Sequence, residues 1–487
     1  MNERDVSKKL SQKEKILVSE DQLNSIWCSK RFLVASVIFV CFNNAAMLLY
    51  NLSIAVVEMT SDKVITIGNT TVFRVAEFQW DTITIGIVSC IHSYGGLIAF
   101  LGGYLVDKFG GSVSCSLSMM ICGVLTILHP AILYLDYNLF LFCRFITGFF
   151  VNCFFISTAE MYSRWFPKKE RSTLIAIGYN GVNVGAAIAY PLFGYIADKW
   201  GWQMVFYVSG IISLFISLLC LIIVKNRPSE DTRISESELS YILIGTDDAS
   251  RKKVAHPYKK IFSSKAVFAV CVGKFTNLWI TTILSLSLPL YVKDLTGKST
   301  DEVGLISSIP AIGQILIFPI TGVFLDVWKK TTEIEWTLMH KISIGFAFLS
   351  SSVFFLAAIL LNNFTMSMIF FALIQIMMSI VPAITEPICV NISPNDSSVT
   401  ASLSQFMGSL AIVVSRTSFG FMTTNHSSQE WNNCFLLTSG VLIFGTAVFI
   451  LFGSSEAQSW SSISIFEQER DPLVKYDEHG KRYSNIS

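Results

Sequence analysis

Long apolar stretches alternate with short polar ones along almost the whole chain. A helix needs about 20 apolar residues to cross the hydrocarbon layer of a bilayer. Twelve stretches approach or exceed that length, and a polar stretch at 225–265 divides them six and six. They run roughly over 32–57, 83–106, 112–134, 138–161, 173–196, 203–224, 266–292, 303–326, 341–361, 365–387, 398–421 and 433–453. The pattern predicts an all-α polytopic membrane protein with twelve transmembrane helices.

The composition agrees with this pattern and excludes several classes of protein. Of the 487 residues, 52% are hydrophobic and 15% are charged, whereas a soluble domain carries about 25% charged residues. Lys and Arg number 36 against 35 Asp and Glu, so the basic surplus of a nucleic-acid-binding protein is lacking. The chain contains no HExxH or GxSxG motif, and its 11 cysteines show no CxxC or zinc-ligand spacing. We therefore expect no enzyme, no nucleic-acid partner and no metal, with the cysteines as apolar filler.

The distribution of basic residues predicts the orientation of the chain. The side that carries both tails and the central polar stretch holds 28 of the 36 Lys and Arg residues, against five in the loops of the other side. Basic loops remain cytoplasmic. We therefore predict cytoplasmic tails at 1–31 and 454–487, six-helix lobes at 32–224 and 266–453, and a cytoplasmic central loop at 225–265.

Two short motifs bear on processing and location. Asn69 begins the sequon NTT in a long predicted outer loop, so we predict a glycan there. The sequence ERDPLV (Glu469–Val474) resembles an acidic dileucine sorting signal but ends in Val. We predict a multi-pass integral protein of the plasma membrane or of a lysosomal or vesicular membrane.

Three basic residues lie inside predicted helices, where charge is costly and marks a substrate pathway. They are Arg144 in the fourth helix, Lys274 in the seventh and Arg416 in the eleventh. The acids near helix interiors are Glu160 and Glu386, both close to helix ends. With so few acids to pair them, we expect the cations to be uncompensated, and such a bundle favours an anion site.

Neutral amides continue the polar faces of these helices. In the seventh and eleventh helices they follow the helical repeat that carries the cations. As candidates for orienting a substrate we take Asn277, Gln405, Asn180 and Asn183. Hydrogen bonding between helices accounts for these amides equally well.

Two titratable groups are candidates for coupling to an ion. His92 lies in the second helix, and an ordinary histidine pKa of about 6.5 suits a step driven by pH. Glu386 is the second candidate. We expect no cofactor other than a coupling Na⁺ or H⁺.

A short loop between the second and third helices carries a recognisable motif. GYLVDKFGG (Gly103–Gly111) matches the major facilitator pattern G-x-L-x-D-[RK]-x-G, and a related GYIADKWGW follows the fifth helix. Glycine allows a tight turn there, and Asp107 is placed to pair with a neighbouring helix in a contact that breaks as two lobes rock. We predict gating roles for Asp107, Lys108 and Asp198.

Within that superfamily the chain resembles the anion transporter family of sialin, type I sodium–phosphate cotransporters and vesicular glutamate and nucleotide transporters. The matching pieces spread over about residues 32–460 and include YNLSIAVVEM, RWFPKKERSTL, GYNGVNVGAAIAYPLFG, ISESELSYI and LFGSSEAQSW. The resemblance implies the major facilitator fold, with two six-helix lobes, and transport by alternating access.

The resemblance also assigns roles to individual residues. Arg144 occupies the place of an arginine regarded as a key substrate or coupling residue of the family. Leu49 and Val151 stand where the family has an arginine and a glutamate, the latter linked to proton coupling. Asn277 stands where the vesicular glutamate members have an arginine, which argues against glutamate as substrate. The cations of the seventh and eleventh helices are additions to the family pattern.

Two functions follow from these patterns. The first is a secondary active transporter that moves a small organic or inorganic anion, a carboxylate or a phosphate, coupled to Na⁺, H⁺ or the membrane potential. The alternative is a transport-inactive member of the family that acts as a membrane ligand sensor or scaffold. Flux that depends on Arg144 distinguishes the two.

Overall fold

The computed structural model describes residues 29–60, 63–67, 70–246, 257–296, 300–332, 334–361, 363–423, 427–458 and 460–461. The helices of the first half are α1 (Lys30–Thr60), α2 (Thr82–Gly95), α3 (Phe100–Phe109), α4 (Gly111–Leu135), α5 (Tyr137–Trp165), α6 (Arg171–Tyr179), α7 (Gly181–Trp200) and α8 (Trp202–Ile223). Two short helices follow in the central stretch, α9 (Glu236–Thr246) and α10 (Tyr258–Phe262).

The second half consists of another seven helices. They are α11 (Lys265–Thr296), α12 (Thr300–Thr331), α13 (Trp336–Leu361), α14 (Phe364–Met378), α15 (Ile380–Ile392), α16 (Ser397–Met422) and α17 (Ser428–Phe452). Within the described ranges, eleven helical segments are long and apolar enough to span a membrane, and α2 with α3, bent by 60°, makes a twelfth when the pair counts as one. The predicted twelve-span helical architecture is confirmed.

A small hairpin interrupts the helical pattern and was not predicted. Strand β1 (Lys63–Ile67) pairs antiparallel with β2 (Thr70–Arg74), in the loop that follows α1. Asn69 lies outside the described residues, so its glycan remains a prediction. The sorting-like motif and most of both predicted tails also lie outside them.

The bundle has two ends, which we name by what they carry. The end where α8 leads into 225–265 and where α11 begins is the linker end; the end with the hairpin is the hairpin end. The linker end is the side predicted to be cytoplasmic.

Two turns with related sequences stand at opposite ends of the first half. Gly110 ends α3 at the linker end with φ +86°, and Gly201 ends α7 at the hairpin end with φ +88°. Residues other than glycine rarely adopt this left-handed backbone conformation. The two DK-x-G turns therefore close the same kind of helix pair in opposite orientations, as inverted repeats of three helices do.

Each half packs its own apolar core. In the first half α1 packs on α7 and α8, and α4 on α5 and α8, around residues such as Ile38 and Phe154. In the second half α11 packs on α16 and α17, with Phe371 in the core. Large apolar side chains on the outer faces are exposed, including Phe215 and Leu360. Helices that are apolar all round suit a lipid surrounding.

Candidate functional site

Arg144 lies on α5, two turns from its hairpin-end start, and its side chain points into the first half. The residue is 2% exposed. Its Nη1 donates to Asn51 Oδ1 on α1 at 3.4 Å, which is long for such a bond. Its Nε has no hydrogen-bond partner among the described residues. A buried guanidinium with five donors and so few partners is poised to bind an acceptor-rich group.

Asn51 is itself held in place by α8. Its Nδ2 donates to Ser209 Oγ at 3.2 Å, and Ser209 Oγ donates back to Val205 O within its own helix at 2.7 Å. The Asn51 oxygen therefore faces Arg144. Three helices, α1, α5 and α8, thus take part in the contact with the guanidinium.

Two further basic side chains approach Arg144. His92 on α2 is 6% exposed, and neither ring nitrogen has a partner among the described residues. Both Arg144 and Arg416 act electrostatically on its ring. Arg416, on α16 of the second half, donates from Nη1 to Ser89 O on α2 at 3.3 Å, and its Nε is buried without a partner in the described part of the chain. Arg144, His92 and Arg416 are defined here as the basic cluster.

The cluster depends on a close approach of α2 and α5. A Cβ at Gly148 would lie 1.9 Å from His92 O, and one at Gly95 would lie 2.1 Å from Phe145 O. Since Arg144 and Gly148 are one helical turn apart, this contact brings His92 beside the arginine.

We expect Gly148→Ala to be strongly destabilising, because the backbones of α2 and α5 must separate to admit a methyl group. The predicted loss is about 2–3 kcal/mol in the free energy of unfolding. Gly194→Ala is the control, since a Cβ at Gly194 meets nothing within 4 Å and alanine favours the helix. Thermal unfolding of the purified variants in detergent measures both. Equal stability of the two variants would contradict the close contact.

Two aromatic side chains of the first half lie within electrostatic range of Arg416. The rings of Tyr50 on α1 and Tyr190 on α7 have centroids 5.2 Å apart, and Arg416 acts electrostatically on both phenols. The hydroxyl groups of such rings can hydrogen-bond to a bound molecule.

Lys274 is paired, which corrects the expectation of three uncompensated cations. Its Nζ donates to Glu386 Oε1 in an ion pair between α11 and α15, and the two side chains are 6% and 13% exposed. The ring of Tyr179, at the end of α6 in the first half, lies 5.6 Å from Nζ. Lys274 therefore contributes no net charge toward an anion in this conformation. The two other cations predicted inside helices, Arg144 and Arg416, make no ion pair within the described residues.

Two of the four predicted amide residues join the two halves. Gln405 Nε2 on α16 donates to Asn152 Oδ1 on α5 at 2.9 Å, and Ser409 Oγ donates to the same oxygen at 3.3 Å. Asn180 Nδ2 donates to Ile315 O on α12 at 3.1 Å. These contacts cross between the halves, so the amides change partners if the halves move.

The remaining two amides have local partners. Asn183 Nδ2 donates to Asn180 Oδ1 at 3.2 Å. The backbone oxygen of Asn277 accepts from Thr281 Oγ1 at 2.9 Å, and the Asn277 side chain is 8% exposed. Their roles toward a substrate remain predictions.

At the linker end, hydrogen bonds close a seam between the halves. Ser398 on α16 donates to Asp107 on α3, and Ser397 donates to Glu160 on α5 at 2.7 Å. Thr173 N on α6 donates to Asp326 Oδ2 on α12 at 2.7 Å. The linker end is thus closed in this conformation.

Two of the three predicted gating residues lie outside this set of contacts. Lys108 is exposed, with its Nζ 5.5 Å from the centroid of the Phe109 ring. Asp198 lies at the hairpin end, exposed beside Lys199, with 3.7 Å between Asp198 Oδ2 and Lys199 Nζ. Asp107 is the predicted gating residue that the seam includes.

The central stretch docks on the first half near the seam. Arg31 is fully buried between Glu170, 2.8 Å from its Nε, and Glu238 of α9. Lys30 Nζ lies 2.9 Å from Asp231 Oδ2. Burial alone would raise the pKa of Asp231, but hydrogen bonds from Arg233 and Lys30 outweigh it and lower that pKa to about 2. The Asp231 carboxylate therefore stays ionised at neutral pH.

Comparison with known proteins agrees with this architecture. The family model of the Major Facilitator Superfamily matches residues 34–383 and 270–478. Vesicular glutamate transporter 3 of Danio rerio is 25% identical over 92% of this chain and 77% of its own length. Vesicular glutamate transporter 2 of Mus musculus is 25% identical over 90% and 76%, and vesicular glutamate transporter 1 of Bos taurus 26% over 88% and 78%.

Solved structures share the fold. The proton:xylose symporter XylE, bound to 6-bromo-6-deoxy-D-glucose, aligns with a TM-score of 0.67 at 14% identity, over 90% of this chain and 98% of that one. The transporter FucP in its outward conformation aligns with a TM-score of 0.61 at 12% identity, over 87% and 100%. With a family model matched over most of its length, the chain belongs to the major facilitator superfamily.

Proposed function

We propose that this protein is a secondary transporter for a small organic or inorganic anion, anchored by Arg144. The observation that carries the proposal is a buried guanidinium whose Nε has no partner in the described chain and whose one hydrogen bond, to Asn51, is long. Such a fork matches a carboxylate or phosphate bidentately. The names of the vesicular glutamate transporters also support an anionic substrate.

Alternating access supplies the mechanism. Arg144 belongs to the first half and Arg416 to the second, and the charge of each acts electrostatically on the His92 ring. An anion bound between them interacts with both halves, and the linker-end seam must open to release it. We propose His92 and Glu386 as coupling groups and Na⁺, H⁺ or the membrane potential as the driving force.

The first test is uptake by purified protein in proteoliposomes. Labelled phosphate, sialic acid, glutamate, aspartate, urate and a nucleotide are offered under separate proton, sodium and voltage gradients. Accumulation of one anion above equilibrium establishes transport and identifies the driving ion. A sensor or scaffold would bind an anion without flux.

A cross-linked variant connects that flux to the seam. A Cβ at Gly103 on α3 would lie 3.3 Å from Ser402 Cβ on α16, close to the roughly 3.8 Å of a disulfide. We expect the bridge of Gly103→Cys/Ser402→Cys to abolish uptake under oxidant and to restore it on reduction, because the linker end can no longer open. The parent chain under the same oxidant is the control. Uptake that continues with the bridge confirmed by mass would contradict a moving seam.

A further inference from the structure

Three cysteines from three helices of the first half converge in its core. They are Cys41 on α1, Cys115 on α4 and Cys220 on α8, and their Sγ atoms all lie within 4.8 Å of one another. The Sγ atoms of Cys115 and Cys220 are 3.9 Å apart. Sequence spacing does not reveal this cluster, because each thiol comes from a different helix. We call the three residues the thiol cluster.

The distances fit a shared central atom. Two sulfurs that each lie about 2.3 Å from a three-coordinate centre are roughly 4 Å apart when the centre is planar, and roughly 3.4 Å apart when it is pyramidal because it carries a lone pair. The Cys115–Cys220 separation of 3.9 Å lies within about 0.5 Å of the pyramidal value, and the Cys41 sulfur, within 4.8 Å of the other two, needs an approach of about 1.5 Å or less. None of the three side chains is more than 1% exposed. The cluster therefore offers three converging sulfurs and little access for water.

Charge decides which kind of atom the cluster can hold. The thiols belong to an apolar cluster with Val34 and Met119, and an uncompensated charge is costly to bury there. Three thiolates around Cu⁺ leave two negative charges, and around Zn²⁺ or Cd²⁺ they leave one. Around a trivalent centre they leave none, and thiolate sulfur selects soft atoms.

We propose that Cys41, Cys115 and Cys220 form a binding site for a soft trivalent metalloid such as arsenic(III). Arsenous acid, As(OH)₃, is a neutral molecule and needs no counter-ion to reach an apolar core. Each of its three hydroxyl groups takes one thiol proton and leaves as water, while an As–S bond replaces each As–O bond. No atom changes oxidation state, and the product is neutral.

Occupation of the site would tie three helices together. α1 also carries Asn51, which holds Arg144, and α8 carries Ser209, which holds Asn51. The folded protein brings the three thiols together and the unfolded chain does not, so binding raises the stability of the folded state. This effect does not depend on transport.

The experiment uses full-length protein in detergent, reduced with a phosphine that is then removed. Sodium arsenite at neutral pH is the probe, and native mass spectrometry is the measurement. We expect a gain of one arsenic atom minus three hydrogen atoms, the loss of three titratable thiols, and a higher unfolding temperature. Zn²⁺ serves as the charged comparison and is expected to bind more weakly.

Single variants test the assignment. In Cys41→Ser, Cys115→Ser and Cys220→Ser, we expect the apparent Kd for arsenite to rise about 100-fold or more, since one intramolecular bond is lost. Cys434→Ser, which removes a buried thiol of α17, is the matched control and keeps wild-type affinity. Alanine at the same position replaces any serine variant that does not purify.

Three results would overturn the proposal. The first is a folded wild-type protein that retains no arsenic. The second is arsenic that stays bound in all three cluster variants, which would place it at other cysteines. The third is tighter retention of Zn²⁺ than of arsenite, which would contradict the charge argument.

Discussion

Arg144→Ala is expected to reduce gradient-driven anion uptake about 100-fold while the protein remains folded. Arg144 is 2% exposed, and among the described residues its guanidinium makes one long hydrogen bond. Alanine therefore removes a buried cation while breaking few contacts that stabilise the fold. A hydrogen bond from a charged donor contributes about 1.5–3 kcal/mol, and about 2.8 kcal/mol corresponds to 100-fold in affinity. The measurement is the initial rate of uptake in proteoliposomes against substrate concentration.

Two further variants separate charge from geometry. Arg144→Lys keeps the charge but loses the planar fork, so we expect an intermediate loss of about 10-fold, expressed mainly in KM. Arg227→Ala removes an exposed arginine of the central stretch and is expected to transport like the parent chain. Uptake by Arg144→Ala at the parent rate would remove Arg144 as the anchor. Binding without flux in the parent chain would instead favour the sensor.

The number of spans was predictable because the bilayer sets the length of an apolar helix. What the apolar pattern could not give is the shape of each span. The predicted segment 83–106 is two helices bent by 60°, and the glycine pair Gly95–Gly96 at the bend was its available sequence signal. The hairpin between α1 and α2 also had a signal, since the β-branched runs KVITI and TTVFR flank the turn-forming pair Gly68–Asn69.

The cations of the site were predictable because charge inside a membrane helix is rare. Their partners were not, since each partner lies on a helix distant in sequence. Asn51 at Arg144 and Ser89 at Arg416 are examples. The sequence showed these polar residues, but helical periodicity does not say which neighbouring helix a given face contacts.

The same limit produced the wrong expectation for Lys274. Glu386 was visible as an acid near a helix interior, but the sequence did not show that α15 turns it toward α11. Tyr179, the aromatic neighbour of the pair from the other half, was missed entirely. An aromatic residue in an apolar helix looks the same in sequence whether it faces lipid or a buried cation.

Breaking the Lys274–Glu386 pair is expected to be the most damaging change to stability. Both side chains are buried, so Lys274→Met leaves a carboxylate, and Glu386→Gln leaves an ammonium group, without its partner. Removal of one member of a buried pair typically costs about 3–5 kcal/mol. We expect each single variant to unfold at a markedly lower temperature in detergent.

The double variant Lys274→Met/Glu386→Gln distinguishes a buried pair from two independent residues. It leaves no unpaired charge, and replacing a buried ion pair by neutral groups of similar volume is often close to neutral, so we expect it to recover most of the lost stability. Lys199→Met breaks the exposed Lys199–Asp198 contact, in which the side chains are 59% and 61% exposed, and is expected to change little. Additive losses in the double variant would contradict the pairing. The uptake assay adds a second readout. If the double variant regains stability but its anion uptake no longer depends on the driving gradient, the pair belongs to the coupling machinery. A purely structural pair would leave that dependence unchanged.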